Sequence, residues 1–187
     1  MTLATYQWTV EQYHQAVDAG LFADESVELL RGNLVVMAPE REPHAFFTRS
    51  TGNYLRRALG DLAEISEAHP ITLSNNSEPQ PDIAIIQPLG REYLAHHPYP
   101  ENIFWLIECS QATLSKDLTE KKEIYAEAGI QEYWIIDLQS QQLIVFRDLR
   151  DGTYMTEQTL TTGFITPLSF PMINLAVPTL LQNIEAA

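Results

Sequence analysis

Two acidic residues stand at the ends of apolar stretches, where a carboxylate could do chemistry. Glu108 follows the apolar run 103–107, and Asp82 follows Pro81 and precedes a second run, 83–86. A carboxylate at the end of a buried strand loses hydration unless a cation or hydrogen-bond donors compensate. If the two strands are neighbours, both acids can offer the hard oxygen ligands that magnesium or manganese prefers. For an isolated acid after a proline, an N-cap, a turn former or a surface strand end is the favoured interpretation, and it is the presence of both acids that favours a metal site.

A candidate cation lies on the segment after Glu108. Asp117, Lys121 and Tyr125 are spaced by four residues, which places them on one face of a helix. Lys121 could simply pair with Asp117. It could instead face the end of the sheet, where it would orient an attacking water or stabilise negative charge on a phosphoryl group. The spacing leaves both interpretations open.

The elements that must position these residues alternate between helical and strand patterns. Thr9 is a plausible N-cap for a first helix that stops near Gly20, and Arg31-Gly32-Asn33 is typical of a hairpin turn. Further helices are predicted over 44–59 and 117–128. Strands are predicted over 26–30, 34–37, 81–86, 103–109, 133–136, 143–147 and about 154–160, with weaker candidates at 63–66 and 71–73.

A helix between buried strands predicts an α/β core with added β-hairpins, which we expect to form a single domain over 1–187. Residues 87–102 hold three prolines and are interpreted as a long loop. Its His96-His97 pair could bind a metal, but a solvated pair is the favoured interpretation. The last 25 or so residues have no clear pattern.

Composition argues against a general nucleic-acid binder. The formal net charge is −14, from 25 acidic and 11 basic residues, and this balance repels a phosphate backbone. Arg49, Arg56 and Arg57 fall on nearly one face of the second predicted helix. They form either a phosphate-contacting ridge or a solvated face.

The single cysteine, Cys109, excludes an internal disulfide framework and a multi-cysteine zinc site, and is interpreted as a small buried side chain. The sequence shows no signal-peptide pattern and no apolar run of roughly 20 residues, the length of a membrane span. We therefore expect a cytoplasmic protein without a membrane partner.

Several short motifs, taken in order, resemble the Uma-two family of endonuclease-like proteins in the PD-(D/E)XK superfamily. The resemblance runs from about residue 8 to about residue 150. Its motifs are 27–32, 35–39, His44, Pro81-Asp82, Glu108-Cys109-Ser110, Asp117-x-x-x-Lys121-x-x-x-Tyr125 and 129–137. Each motif is short, and their order, spacing and number carry the assignment.

The resemblance implies a restriction endonuclease-like core, a four-stranded mixed sheet flanked by helices. It implies Asp82 and Glu108 as metal ligands, with the backbone carbonyl of Cys109 as a further one. The superfamily's usual lysine position, two residues after the second acid, holds Ser110 here. In this family the lysine lies on the following helix, which indicates Lys121.

Two further residues match the family less decisively. Glu28 corresponds to the superfamily's acid near the first helix, which can support metal binding. A charge at a hairpin edge is an equally good interpretation. His44 stands where the family often has a histidine, and we interpret it as structural.

The expected function is a magnesium-dependent (or manganese-dependent) endonuclease acting on DNA. Because enzymes of this superfamily commonly pair to cut two strands, a homodimer is expected. Two alternatives remain open. One is a catalytically silent nuclease fold used for binding or dimerisation. The other is a phosphodiesterase for small phosphate esters, which suits an acidic surface better.

Overall fold

A computed structural model describes residues 5–182 and is built around one six-stranded sheet. The helices are α1 (Val10–Asp18), α2 (Glu42–Leu59), α3 (Leu114–Lys116), α4 (Lys122–Glu127) and α5 (Val177–Leu180). The strands are β1 (Val27–Leu30), β2 (Asn33–Val36), β3 (Glu64–Glu67), β4 (Ile83–Ile86), β5 (Ile103–Ser110), β6 (Tyr133–Asp137), β7 (Gln142–Arg150), β8 (Thr153–Leu160), β9 (Phe164–Ile165) and β10 (Leu175–Ala176).

The sheet has the strand order β3-β4-β5-β6-β7-β8, with β5 and β6 parallel and every other pair antiparallel. The parallel pair requires a crossover, and the chain supplies it with the helical segment between β5 and β6. The predicted mixed α/β class is therefore confirmed. The sheet is larger than the four strands that the family resemblance implied, because β3 and β8 extend it at its two edges.

The sheet is covered on both faces, which explains its apolar central strands. One face packs against α2 and α5, and alternate residues of β5 such as Trp105 and Ile107 point into that layer. The other face packs against α4, where Leu106 meets Ile124 and Tyr125. The alternation along β5 decides which layer each functional side chain enters.

The amino-terminal elements form as their sequence predicts. Thr9 caps α1 in a capping box with Gln12, so two otherwise unpaired N–H groups are satisfied. Arg31 and Gly32 both have positive φ, at 47° and 76°, as a two-residue hairpin turn requires. A side chain at Gly32 would also collide with Gln7 and the Trp8 carbonyl, so glycine is needed for space as well.

Three predictions needed correction. Residues 71–73 form no strand: Ile71 and Leu73 are buried, but Leu73 makes only an isolated bridge to Ser77. The long loop contains two short 3-10 helices, Gly90–Leu94 and Pro100–Asn102. The third helix begins at Leu114 and is interrupted by a π-helical turn. Within 5–182 no helix combines the length and the hydropathy needed to cross a membrane.

Candidate active site

Asp82 and Glu108 lie opposite each other where β4 begins and β5 ends. The register pairs Ile83 with Ile107 and Ala84 with Leu106, so its continuation sets Asp82 against Glu108. One carboxylate oxygen of Asp82 (Oδ2) accepts the Cys109 N–H at 2.6 Å, and Glu108 Oε2 lies 3.4 Å from the Asp82 nitrogen. Two carboxylates in this arrangement repel each other, so the pair requires compensating positive charge.

Glu108 is the buried member of the pair, with 2% of its surface exposed. Its Oε1 atom accepts two hydrogen bonds, from Lys121 Nζ at 2.8 Å and from the Tyr125 hydroxyl at 2.7 Å. Burial raises the pKa of Glu108, Lys121 opposes that rise, and the charge of Asp82 adds to it. The site therefore holds a carboxylate whose charge depends on its cationic neighbour.

Lys121 is 7% exposed and sits among carboxylates. Burial alone lowers the pKa of this lysine, but the nearby acids, Glu108 foremost, raise it well above its usual range. Lys121 is thus a fixed cation at neutral pH. The sequence left open whether Lys121 pairs with Asp117 or faces the end of the sheet. In the structure its partner is Glu108, and among the described residues Lys121 makes no ion pair with Asp117 within 4.0 Å.

A π-helical turn, Asp117–Lys121, joins α3 to α4 and sets the direction of two lysines. In this turn the Lys122 N–H donates to the Asp117 carbonyl, five residues back. Residues five apart lie about 140° apart around a regular α-helix but nearly above one another across a π turn. Lys116 and Lys121 consequently both reach the acidic end of the sheet.

Lys116 binds the third acid of the site. Its Nζ lies 2.6 Å from Oε1 of Glu28 on β1, and Glu28 Oε2 lies 3.4 Å from the Gln80 nitrogen. Glu28 is 1% exposed, so it is a buried residue and not a charge at an open hairpin edge. Its charge also contributes to the raised pKa of Lys121, which places it within electrostatic reach of that lysine.

His44, near the start of α2, contacts Asp82 directly. Its Nε2 lies 2.9 Å from Asp82 Oδ2, and its Nδ1 lies 2.8 Å from Glu40 Oε1. Because carboxylates only accept hydrogen bonds, both ring nitrogens must carry protons. The hydrogen bond with Asp82, opposed by burial, raises the pKa of His44 to about 9. Sequence reasoning treated His44 as structural, and no spacing in the chain connects it with Asp82.

Each acid of the site is therefore matched with one cation: Asp82 with His44, Glu108 with Lys121, and Glu28 with Lys116. The side chains of Asp82 and His44 are 18% and 23% exposed, whereas Glu108 and Lys121 are buried. Solvent thus approaches the cluster from the Asp82 side.

Asp117 and Lys122 make contacts outside the three ion pairs of the site. Asp117 is buried and accepts a hydrogen bond from the Thr113 hydroxyl at 2.7 Å. Burial raises its pKa, although Lys121 opposes this. Lys122 lies over the ring of Phe146 at 4.9 Å, a cation–π contact on another side of the helix.

The motif residues after the site stabilise the sheet. Glu132 is fully buried and accepts hydrogen bonds from the Trp134 indole, the Arg147 guanidinium and the Leu168 N–H. Asp137 accepts from the backbone of the turn that follows β6. The sequence did not predict a role for Glu132, because a buried ion pair leaves no periodic pattern in a sequence.

The three arginines of α2 are exposed, but one is engaged. Arg56 pairs with Glu67 and donates to the carbonyl of Ile65 at 3.0 Å. Arg49 and Arg57 are exposed on the same helix. Of the three arginines that the sequence offered as a phosphate-contacting ridge, only Arg49 and Arg57 therefore remain as candidates.

The fold is that of a nuclease-like mixed α/β protein, and comparison with known proteins agrees. Residues 10–178 match the model of the Uma2 family, described as "Putative restriction endonuclease". The chain belongs to this family, as its motifs predicted. It is also similar to a crystal structure described as a "putative nuclease belonging to DUF820" from Anabaena variabilis ATCC 29413. That match has 14% sequence identity and a TM-score of 0.68 over 85% of this chain and 91% of the other. No curated protein matches the sequence.

Proposed function

We propose that this protein is a metal-dependent endonuclease that hydrolyses DNA phosphodiester bonds at the Asp82–Glu108 site. The observation that carries the proposal is the opposition of these two carboxylates beside a buried lysine that already holds one of them. Family membership supports hydrolytic chemistry on nucleic acid.

The donor set fits magnesium or manganese. Lys121 and Tyr125 occupy Oε1 of Glu108, while Oε2 accepts only the long 3.4 Å contact from the Asp82 nitrogen. Among residues 5–182, Asp82 Oδ1 accepts no hydrogen bond. One oxygen of each carboxylate is therefore available, and both are hard ligands of the kind these ions bind.

The backbone carbonyl of Cys109 points in a direction from which it could bind the same ion. The Cys109 N–H points toward Asp82, and the N–H and carbonyl of one strand residue face the same neighbouring strand. The carbonyl is thus directed to the side where Asp82 lies. We include Cys109, through its backbone oxygen only, in the proposed ligand set with Asp82 and Glu108.

Lys121, His44 and Glu28 would have different roles beside the metal ion. A bound magnesium ion would lower the pKa of a coordinated water and polarise the phosphate. Lys121 stays protonated, so it would offset developing negative charge on the phosphoryl group instead of removing a proton. His44 fixes the orientation of Asp82, and Glu28 supports the cluster through Lys116.

The net charge of −14 restricts how DNA could approach. The proposal therefore requires a local basic surface, and Arg49 and Arg57 on α2 are exposed candidates. A homodimer would present two such surfaces and two sites, as cleavage of both strands requires. Analytical ultracentrifugation with and without a short duplex tests that assembly; a monomer under both conditions contradicts it.

Plasmid nicking tests the activity. Supercoiled plasmid is incubated with magnesium or manganese and wild-type protein, the Asp82→Asn/Glu108→Gln double variant, or Asp61→Asn, an exposed acid outside the site. We expect nicking by wild type and Asp61→Asn but not by the double variant. Equal nicking by all three would assign the activity to a contaminant and overturn the proposal.

Lys121 and the adjacent Lys122 provide a matched test of whether the lysine charge at the site is needed for cleavage. Lys121→Ala should abolish cleavage yet retain most manganese affinity, because both carboxylates remain. Lys122→Ala should cleave normally, because that side chain lies over Phe146. Full cleavage by Lys121→Ala would remove this lysine from the mechanism.

The acidic surface favours a second candidate, a phosphodiesterase for small phosphate esters, which carry far less charge than DNA. The same site would perform the hydrolysis. Turnover of bis-p-nitrophenyl phosphate that depends on Asp82 and Glu108, without plasmid nicking, would select this function. Metal binding without hydrolysis of either substrate would indicate a catalytically silent module.

A further inference from the structure

Three side chains with metal-ligating atoms meet outside the proposed active site. They are His14 of α1, Glu78 in the segment that leads to β4, and His97 in the long loop between β4 and β5. One ligand atom from each lies within 4.8 Å of the other two. Within the described part of the chain, this is the one group of three histidine, cysteine or acidic side chains that meets that condition.

Glu78 is the fixed member of the group. It is buried, and its backbone is paired with Leu29 in both directions, at 2.7 and 3.4 Å. Its Oε2 accepts a hydrogen bond from the Thr72 hydroxyl at 2.8 Å. Nε2 of His14 lies 2.7 and 2.8 Å from the two carboxylate oxygens. The carboxylate is thus held in place and directed at the histidine.

The long loop between β4 and β5 brings His97 to the cluster but holds His96 away from it. The Thr72 N–H donates to the Pro98 carbonyl at 3.0 Å, which anchors the loop beside Glu78. The His96 ring instead stacks on Tyr99 with centroids 4.5 Å apart, and its Nδ1 contacts the His97 carbonyl. Both histidines are half-buried, and the His97 ring faces the His14 ring edge-on with centroids 6.3 Å apart.

Two imidazole nitrogens and one carboxylate oxygen form the donor set of a zinc-class ion. Magnesium and calcium prefer oxygen ligands alone, whereas zinc accepts this mixture in four-coordinate sites. With bonds of about 2.0–2.2 Å, ligand atoms of a tetrahedral site lie roughly 3.3–3.6 Å apart. His14 Nε2 and the Glu78 carboxylate, now 2.7–2.8 Å apart, would have to separate by about 0.7 Å to admit the ion, and the His97 nitrogen, within 4.8 Å of both, would have to approach by up to about 1 Å. Small side-chain rotations provide both movements.

An open cavity adjoins the cluster. It has a volume of about 550 Å³ and is lined by α1, Thr72 and residues 93–97 and 99. Three protein ligands leave one coordination position of a tetrahedral ion, and the cavity gives water access to it.

We propose that His14, Glu78 and His97 bind a zinc-class divalent ion with water as the fourth ligand, separately from the proposed magnesium site. The ion would join α1, the segment before β4 and the long loop. Glu78 lies four residues before Asp82, so the ion would also stiffen the segment that carries Asp82.

The test is calorimetric titration of metal-free protein with zinc in excess magnesium. It uses wild type and the Asp82→Asn/Glu108→Gln variant, which lacks the other site. We expect one zinc per chain with similar affinity in both. His97→Gln should weaken binding by at least tenfold, because even residues that only orient ligands cost 10- to 100-fold. His96→Gln, the adjacent control, should bind as wild type does.

A second readout separates ligation from loss of folding. Cobalt substituted for zinc should give the visible absorption of a four-coordinate ion, and this should be lost in His14→Gln and His97→Gln but kept in His96→Gln. Unchanged zinc affinity in His97→Gln would overturn the proposal. So would equal loss in His96→Gln, or loss of zinc binding in the Asp82→Asn/Glu108→Gln variant while its thermal unfolding is unchanged.

Discussion

Lys121→Met should destabilise the metal-free protein strongly, because it leaves Glu108 buried without a cation. The two side chains are 9% and 3% exposed and their charged atoms are 2.8 Å apart. Methionine keeps the length of the lysine stem but not its charge. Removing one partner of a buried pair costs about 3–5 kcal/mol, a large share of the roughly 5–15 kcal/mol by which a domain is stable. Urea unfolding measures the loss.

The loss should depend on pH in a defined direction. Burial raises the pKa of Glu108 in the folded chain, and removing Lys121 raises it further, since the lysine opposes that rise. The folded variant then binds a proton more readily than the unfolded chain, so its stability falls as pH rises. Wild type and variant both lose stability as pH rises above the ordinary glutamate pKa, because Glu108 is buried in both. The penalty of Lys121→Met relative to wild type therefore grows only above the wild-type Glu108 pKa of about 8, by about 1.4 kcal/mol per pH unit until the higher pKa of the variant is passed.

Unfolding of wild type and variant at about pH 7 and about pH 10 therefore gives the decisive comparison. Glu108→Gln in the Lys121→Met background should recover stability, with a coupling free energy of about 0.5–3 kcal/mol between the two positions. Lys122→Met is the matched control and should cost little. Additive effects of the two changes, or a Lys121→Met penalty that is equal at both pH values, would refute the buried pair.

Three further predictions concern neighbouring hydrogen bonds and ion pairs. Tyr125→Phe removes only the hydroxyl that donates to Glu108 and should cost about 1.5–3 kcal/mol in urea unfolding; no measurable loss would mean that the bond does not form in solution. The imidazole of His44, held by Asp82, should titrate near pH 9 by NMR in metal-free protein. Its stabilising effect should be full below about pH 6.5 and vanish as pH rises through 9, so wild type and His44→Gln should converge in alkaline solution; a midpoint near 6.5 would contradict the contact. Glu132→Gln should cost about 1.5–3 kcal/mol, because Arg147, whose side chain is 18% exposed, loses the charged acceptor of its hydrogen bonds, with unchanged manganese titration of the folded variant; weakened metal binding would show that Glu132 belongs to the site.

The acids could be placed from the sequence because their signal is local. The apolar runs beside Asp82 and Glu108 are long enough to indicate buried strands, and neighbouring strands bring their ends together. The mixed α/β class followed from the same runs. Residues 71–73 show the limit of this reasoning, because an apolar triplet indicates burial but not hydrogen bonding to another strand.

The cations could not be placed in the same way. Whether Lys121 faces Asp117 or Glu108 depends on the phase of its helix, and a fixed spacing of four does not reveal a π turn. The contact between His44 and Asp82 joins residues 38 positions apart with no shared pattern. The burial of Glu28 likewise depends on Lys116, which arrives from a distant part of the chain.

The π turn separates the arrangement of the centre from the spacing of its residues in the sequence. Deleting Thr119 would retain every acid, lysine and histidine described above. A regular α-helix would then be free to form, and Lys116 and Lys121, four residues apart instead of five, would still lie on one face of it. Relatives with a one-residue gap at this turn would therefore keep the assembled centre on an unbroken helix. A relative of the same length with a regular α-helix here would instead place the two lysines about 140° apart, and so would lose the centre while it retains each motif residue.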